Sequence, residues 1–539
     1  MVRRWFYIGS GFTVGGIVLL ATIWPPVLWA LLVVGPLVTV GLCDSLQRRR
    51  TILRNFPVIG HMRYLLEGVR PEIHQYFIES NIDPFPIERE MRSIVYQRAK
   101  GELETRPFGT QRDVYKAGYE WCAHSLENTD ALEEEPRIEV GGPDCSIRYS
   151  ASRLNVAAMS FGALSPTAIG ALSGGARLGG FAQNTGEGGI STYHREGGGD
   201  LIWQIGTGYF GCRTPDGRFD PEQFRDTAAD PQVRMIELKL SQGAKPGHGG
   251  VLPGKKVTPE IASARGVPVY ETVHSPPRHS AFSGPAGLVA FTARLRELSG
   301  GKPVGIKFSV GRRQELLSVC KAMLDVGSTV DFMTVDGGEG GTGAAPLEFS
   351  NSMGMPAQEA WALTHNALMG TGLRDRVRVL ASGKIITGFH MIRAIALGAD
   401  ACLSARGMML ALGCIQALRC NNNTCPTGVA TQNRALFDGL DVPDKTNRVF
   451  RYHRATMRSF LELLAAMGLA GPEEISPTLV FRRGDDSRVR TFADIYEFLQ
   501  PGQLLHEHGL SEEWRRDWDA ACMRMRWGRA GDRKSDQHE

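Results

Sequence analysis

Two long uncharged apolar runs open the chain, Phe6 to Trp24 and Val27 to Cys43, parted by Pro25-Pro26. Each approaches the roughly 20 residues an α-helix needs to cross a bilayer. Arg3 and Arg4 precede the pair, and Arg48, Arg49, Arg50 and Arg54 follow it. Basic residues at both outer ends predict a transmembrane helical hairpin over residues 1–46, anchored in the inner membrane with the rest of the chain facing the cytoplasm. A cleaved signal peptide is the competing reading; the second apolar run and the missing small-residue cleavage site weigh against it. Residues 47–150 mix aromatic and charged positions, with a break at Asp83-Pro84-Phe85-Pro86 and an acidic run at Glu133–Glu135. Their helical periodicity predicts an α-rich connecting region without chemistry of its own.

From residue 150 onward, apolar β-rich runs alternate with helical patterns. The candidate strands are Asn155–Ser160, Phe181–Thr185, Met235–Leu240, Val267–His274, Val304–Ser309, Phe332–Asp336, Val377–Ser382 and Ala401–Ala405. Amphipathic segments such as Pro285–Leu298, Arg313–Val326 and Pro356–Met369 separate them. Continuous apolar strands between helices read as a parallel sheet covered on both faces. Eight such units predict an α/β fold, a closed (β/α)8 TIM barrel over 151–435. A doubly wound open sheet is the alternative, but no GxGxxG stands at a strand-to-helix turn to support it. Residues 436–539 predict a helical extension containing Trp514, Trp518 and Trp527, ending in a polar tail.

Composition narrows the function. The chain has 539 residues, 22% charged, with a net charge of only +4 and basic residues spread along it, so no nucleic-acid footprint is visible. Ten cysteines in this length do not make a disulfide scaffold. Glycine, at 64 residues, exceeds its usual share of about 7% and gathers between residues 160 and 430. Backbone that must approach a ligand closely has this composition.

The chemistry of a TIM barrel sits at the C-terminal strand ends. Those ends carry Met159-Ser160-Phe161-Gly162, Asn184-Thr185-Gly186-Glu187-Gly188-Gly189, Lys239 with the loop SQGAKPGHGGVLPG, Lys307, DGGEGGTGAAP, Ser382-Gly383-Lys384 and Ala405-Arg406-Gly407. One GG pair is only a tight turn. Glycine loops after three successive strands can offer N–H groups to a phosphate through Gly341, Thr342, Gly343, Gly383 and Gly407, with Lys384 or Arg406 as the cation. A mononucleotide such as FMN is the expected ligand, with Met159 and Ser160 in its site and Lys307 beside the N1/O2 edge of the ring.

Cys414, Cys420 and Cys425 stand in LGCIQALRCNNNTCPTGVATQ, with five residues between the first pair and four between the second. Pro426 directly after the last is a habit of iron–sulfur loops. A structural zinc site would want a fourth ligand, and none lies in this stretch. Three thiolates suggest a 3Fe–4S cluster; unrelated buried thiols are the other reading.

Taken in order, AMSFGALS, NTGEGG, IELKLSQGAKPGHGGVLPGKKVTPEIA, SPPRHS, DGGEGGTGAAP, GLRDRVRVLASGKIITG and the cysteine segment resemble the central flavin domain of glutamate synthase over roughly residues 150–435. The resemblance implies FMN, a 3Fe–4S cluster on Cys414, Cys420 and Cys425, and hydride delivery to an imine of 2-oxoglutarate and ammonia. It also implies keto-acid contacts from Gln242, Lys245 and Arg265, with Glu187 beside the flavin. The family's GEGGQLPG segment reads GHGGVLPG here, placing His248 and Val251 where glutamate and glutamine are usual. Valine in place of a substrate-holding glutamine removes a polar contact, which opens the reading to another keto acid or amine. The amidotransferase domain and the glycine-repeat β-helix of the family are not expected in this chain. With no nicotinamide fingerprint, electrons are expected from ferredoxin or a separate reductase subunit through the cluster. A membrane-tethered relay without a substrate is a third reading; Gln242, Lys245 and Arg265 argue against it.

Overall fold

A computed structural model describes residues 2–47, 50–80, 86–105, 107–506 and 508–523. Arg48, Arg49, the Asp83-Pro84-Phe85 part of the break, Trp527 and the polar tail lie outside the described residues. The chain divides into two compact units, Met1–Asp83 and Pro84–Glu539.

In the first unit, helices Val2–Ala21 and Leu31–Leu46 are joined by a 3-10 turn at Pro25–Ala30. The spans Val2–Ala21 and Pro25–Leu46 are each long and apolar enough to cross a membrane. Phe6 lies so close to Gly41 that any Cβ there would overlap its ring. A small residue therefore sets the helix contact, as in bilayer-embedded pairs. Shorter helices follow at Thr51–Asn55 and Gly60–Ile73.

The second unit is built on a closed barrel. Its strands are β1 (Leu154–Val156), β2 (Ala182–Asn184), β3 (Asp200–Ile205), β4 (Val233–Lys239), β5 (Val304–Phe308), β6 (Phe332–Asp336), β7 (Arg378–Ser382) and β8 (Ala401–Ser404). Each pairs in parallel with its sequence neighbours, and β8 closes onto β1. Seven fall on predicted runs. The eighth does not: Val267–His274 is no barrel strand. Only Val273–His274 is extended, in a two-residue ladder with Val251–Leu252. Pro268 lacks a ladder donor, and Tyr270 is exposed with a left-handed φ of 63°. The missed strand is β3, uncharged after Asp200 but hidden behind the Gly197-Gly198-Gly199 run.

Strand alternation grades the barrel interior from apolar to charged. Met235, Glu237 and Lys239 share one face of β4, and Phe332, Thr334 and Asp336 share one face of β6. Met235 and Phe332 pack with Ala182, Ile202 and Leu380 at the closed end, under the hairpin Ile138–Val140/Tyr149–Ala151. Above them Glu237 accepts from Asn184 at 2.8 Å, Gln204 at 2.5 Å and Thr334 at 2.5 Å. Lys239, Lys307 and Asp336 then stand at the open end.

Residues 86–151 contain more β-structure than their periodicity predicts. Helix Arg89–Lys100 is followed by three short strands, one of which, Glu120–Cys122, pairs with Val480–Arg483 far along the chain. Three-residue strands leave no period to read, and the ladder of Glu120–Cys122 depends on a distant partner. Helix Val442–Ala466 packs against helices Pro166–Gly179 and Arg89–Lys100. Gly175 permits this closeness, since a Cβ there would meet Val449 at 2.6 Å.

Candidate functional site

At the C-terminal mouth of the barrel a cleft is lined by Glu187, Lys239, Gln242, Lys245, His248 and the Pro276-Pro277 turn, among others. Glu187 sits on the turn Gly186–Gly188 after β2. Gly186 has φ 63°, and a Cβ there would press on Ser160 N at 2.6 Å, so the turn needs glycine. Lys239, the last residue of β4, pairs with Glu187 at 3.0 Å and donates to Gln242 Oε1 at 2.6 Å. Burial alone would raise the Glu187 carboxyl; Lys239, then Lys245 and Arg265, outweigh it and hold it below the usual range. Burial lowers the Lys245 ammonium and Lys239 pushes it further down, against support from Glu187. Two lysines face one carboxylate across the cleft. The surplus is positive and suits an anionic ligand.

A second layer fixes the proline turn. Thr207 donates to Pro276 O at 2.5 Å, and Tyr209 Oη accepts from Ser280 N at 3.1 Å and Ala281 N at 3.0 Å. Burial lowers His279 to about 4, so its ring is neutral. Nε2 donates to Lys239 O at 2.8 Å, leaving Nδ1 to accept from Tyr209 at 3.1 Å. The sequence places Lys239 at a strand end without assigning it a role, and it does not single out Thr207 or Tyr209. Thr207 and Tyr209 follow the missed strand β3, and finding that strand would have placed them at the mouth.

Gln242, Lys245 and Glu187 come together; Arg265 does not join them on the cleft wall. Its guanidinium is buried, donates to Phe161 O at 3.1 Å and lies 4.9 Å from the Phe210 ring centroid. Burial brings it down to about 10, with Glu187 near enough to oppose the shift. It braces the Phe161-Gly162 turn from behind. His248 lines the cleft, its ring edge-on to Phe349 at 5.2 Å. Val251 is exposed in the two-residue ladder beyond it.

The residues assigned to a mononucleotide fall into two groups. Met159 and Ser160 lie against Gly186, and Lys307 is buried 3.7 Å from Asp336, which also accepts from Gly243 N at 2.9 Å. Farther round, Gly341, Thr342 and Gly343 are exposed, and Arg406 donates to Glu339 O at 2.7 Å beneath them. Gly383 has φ 145° and Lys384 φ 49°. Burial lowers both Lys384 and Arg406, and Arg406 depresses Lys384 further. Two half-buried cations beside open glycine backbone suit a phosphate dianion, which would restore both charges. Gly407 is also confined by packing. A Cβ there would overlap Tyr452 Oη, so its smallness admits helix Val442–Ala466.

Cys414, Cys420 and Cys425 share one wound loop. Gln416, Leu418 and Asn423 have positive φ, as do Gly413 and Gly428. Three non-glycine left-handed residues in one short loop mark a conformation held for function. Cys414 Sγ accepts from Gln416 N at 3.4 Å. Burial lifts Cys414 to about 11; burial and neighbouring Cys425 raise Cys420. Burial also acts to raise Cys425, but bonds from Thr427 and the 427–430 backbone bring it lower. Among the described residues no three His, Cys, Asp or Glu side chains converge on one ion. The thiolates of a cluster stand farther apart than those of a single ion, because each binds a different iron, and N–H groups aimed at sulfur suit that arrangement. The flank outside the barrel closes the loop: Tyr96 donates to Cys414 O at 2.7 Å, and Gln416 accepts from Ile87 N at 3.0 Å.

Residues 124–470 match a family model described as a conserved region in glutamate synthase. A glutamate synthase large subunit-like protein, YerD, of Bacillus subtilis is 36% identical over 497 residues, 85% of this chain and 94% of that protein. An archaeal glutamate synthase [NADPH] of Methanocaldococcus jannaschii is 34% identical over 336 residues, 62% of this chain and 61% of its own length. Among solved structures, a mutant flavocytochrome b2 with pyruvate bound is 10% identical with a TM-score of 0.39, covering 85% of this chain and 93% of that one. At that distance it adds nothing to the closed barrel already seen.

Proposed function

This chain belongs to the glutamate synthase family, and on that premise we propose that it is a membrane-anchored FMN oxidoreductase reducing the imine of ammonia and 2-oxoglutarate, or a related 2-oxo acid. The observation that carries the reading is the cationic cleft in which Lys239, Gln242 and Lys245 surround Glu187 at the barrel mouth. Lys245 and Gln242 hold a substrate carboxylate, a charge-assisted contact strongest where water is scarce. Reducing an imine to an amine consumes a hydride and a proton, and the Glu187–Lys239 pair stands where it can hold that proton. Thr207, Tyr209 and His279 keep the proline turn in place and so orient the substrate. FMN, held by Gly341–Gly343, Gly383, Lys384 and Arg406 with its ring near Lys307, would supply the hydride, and a 3Fe–4S cluster on Cys414, Cys420 and Cys425 would supply single electrons.

Ferredoxin or a separate reductase subunit is the proposed donor. The helices Val2–Ala21 and Pro25–Leu46 are the proposed anchor, with the remainder of the chain on the cytoplasmic side. Exposed Trp5 at the outer end and exposed Trp24 and Trp29 at the turn support it, since tryptophan collects at membrane interfaces. One observation favours a second reading: His248 lines the cleft where the family usually has glutamate, which suits a different 2-oxo acid or amine.

The test is anaerobic. Protein purified in detergent and reduced chemically is mixed with 2-oxoglutarate and ammonium while flavin absorbance is followed. Prompt reoxidation with glutamate formed supports the first reading. Reoxidation only by another 2-oxo acid or amine moves the assignment to the second. FMN present without iron removes the cluster.

A further inference from the structure

The segment after the second apolar helix carries a surface that the catalytic reading does not use. Helix Gly60–Ile73 runs into the π-helical turn His74–Ile78. Met62, Leu65, Leu66, Val69, Ile73 and Tyr76 follow the i, i+3, i+4, i+7 spacing of one helix face. All six are exposed, Leu65 by 65%, and Phe77 continues the stripe at 84%. Side chains of this kind gain strongly from leaving water, so the stripe carries a driving force for burial. On the opposite face Arg63 pairs with Glu67 at 2.8 Å.

We propose that residues 59–78 form an interfacial helix lying in the plane of a lipid bilayer, the apolar stripe in the acyl boundary and the arginines among anionic headgroups. Continuity supports it. Buried Asp44, near the end of helix Leu31–Leu46, accepts from Val58 N at 3.0 Å and pairs with His61 Nε2 at 2.9 Å. Gly60 packs on Leu53, whose Cδ2 would stand 3.0 Å from an added Cβ. The first turn is thus fastened to the end of the second span, at the level where a crossing helix meets headgroups. Charge supports it as well. Residues 47–78 contain six arginines, two glutamates and neither lysine nor aspartate. Arginines so placed are attracted to an anionic lipid surface. Arg50 also lies 4.8 Å from the Tyr64 ring centroid, a cation and an amphipathic ring suited to the same depth. The proposal rests on the reading that the hairpin crosses the membrane.

The experiment keeps the two apart. An environment-sensitive fluorescent amino acid is placed singly at position 66 on the stripe, position 67 on the polar face, or position 33 in the second apolar helix. The full chain is reconstituted in phosphatidylcholine–phosphatidylglycerol vesicles and quenched by lipid brominated high on the acyl chain, or by aqueous iodide. Lipid quenching several-fold stronger at 66 than at 67, with 66 shielded from iodide, is the expected result. Equal iodide quenching at 66 and 67, with 33 quenched by lipid, overturns the interfacial helix and leaves the hairpin standing. Lipid quenching at 66 but not at 33 keeps the helix and removes the hairpin. Position 66 shielded from both quenchers means that protein covers the stripe, a second copy included, and overturns the proposal.

Discussion

Lys245 lines a cleft where burial and Lys239 both work against its charge, and only Glu187 supports it. A clamp built this way fails early as pH rises. Lys245→Ala removes a charged contact of about 1.5–3 kcal/mol, so KM for the 2-oxo acid rises roughly ten- to a hundredfold with little change in kcat. KM of the native protein climbs with pH before the ordinary lysine range is reached; Lys245→Arg, which stays charged, removes that climb in the same pH series. Glu187 titrates in the other direction. Its folded pKa is below the ordinary value, so its pairing stabilises fully above an unfolded pKa of about 4.3 and is lost as pH falls through the lowered value. The Tm gap between the native protein and Glu187→Gln therefore narrows in thermal melts taken at progressively acid pH. Single residues at strand ends were legible beforehand because a barrel gathers its chemistry there. The Lys239–Glu187 pair was not, since it joins the end of β4 to the turn after β2.

At the scale of elements, β3 and the loop it launches carry the most consequence. Tyr209 follows β3 in a left-handed conformation with φ 50° and takes two backbone N–H bonds from the proline turn, with His279 as its acceptor. Tyr209→Phe leaves those N–H groups without their acceptor, at a cost of about 1–3 kcal/mol. A lower midpoint in urea and a raised KM are expected together, because the same turn walls the cleft. A fall in stability with KM untouched would separate the turn from the site. Seven strands were legible because their apolar runs are continuous. Val267–His274 imitated one through its β-branched and aromatic residues, yet a proline and a left-handed tyrosine cannot lie inside a central strand. Gly407 teaches a related lesson. Its place in a glycine-rich mouth suggested a phosphate, and packing against Tyr452 independently requires it to be small. Gly407→Ala is expected to cost about 1–3 kcal/mol by overpacking and to leave FMN affinity near native in flavin titration.

At the scale of the molecule, the barrel read from residues 151–435 is not a free-standing body. Helix Val442–Ala466 buries Val449, Met457, Phe460, Leu461 and Leu464 against it, and Tyr452 donates to Ile386 O at 2.8 Å. On the other flank, half-buried Glu120 pairs with Arg482 at 2.8 Å and Arg393 at 2.9 Å, tying strand Glu120–Cys122 to both the C-terminal sheet and the helix after β7. Five buried apolar side chains at about 1.5–3 kcal/mol each amount to on the order of 10 kcal/mol. Net stability of a folded protein is about 5–15 kcal/mol, so losing that helix alone consumes most of it. Sequence pattern marked the chemistry-bearing core as a domain because repeats and motifs end near residue 435. It could not show that the outer shell of β8 and β1 comes from the flanks, since those contacts join residues hundreds of positions apart. A chain cut to 151–435 is expected to aggregate or melt without cooperativity. One spanning 86–523 is expected to melt in a single transition by circular dichroism and to keep Tyr96 on the cysteine loop. A cooperative melt from 151–435 would show that the barrel needs neither flank.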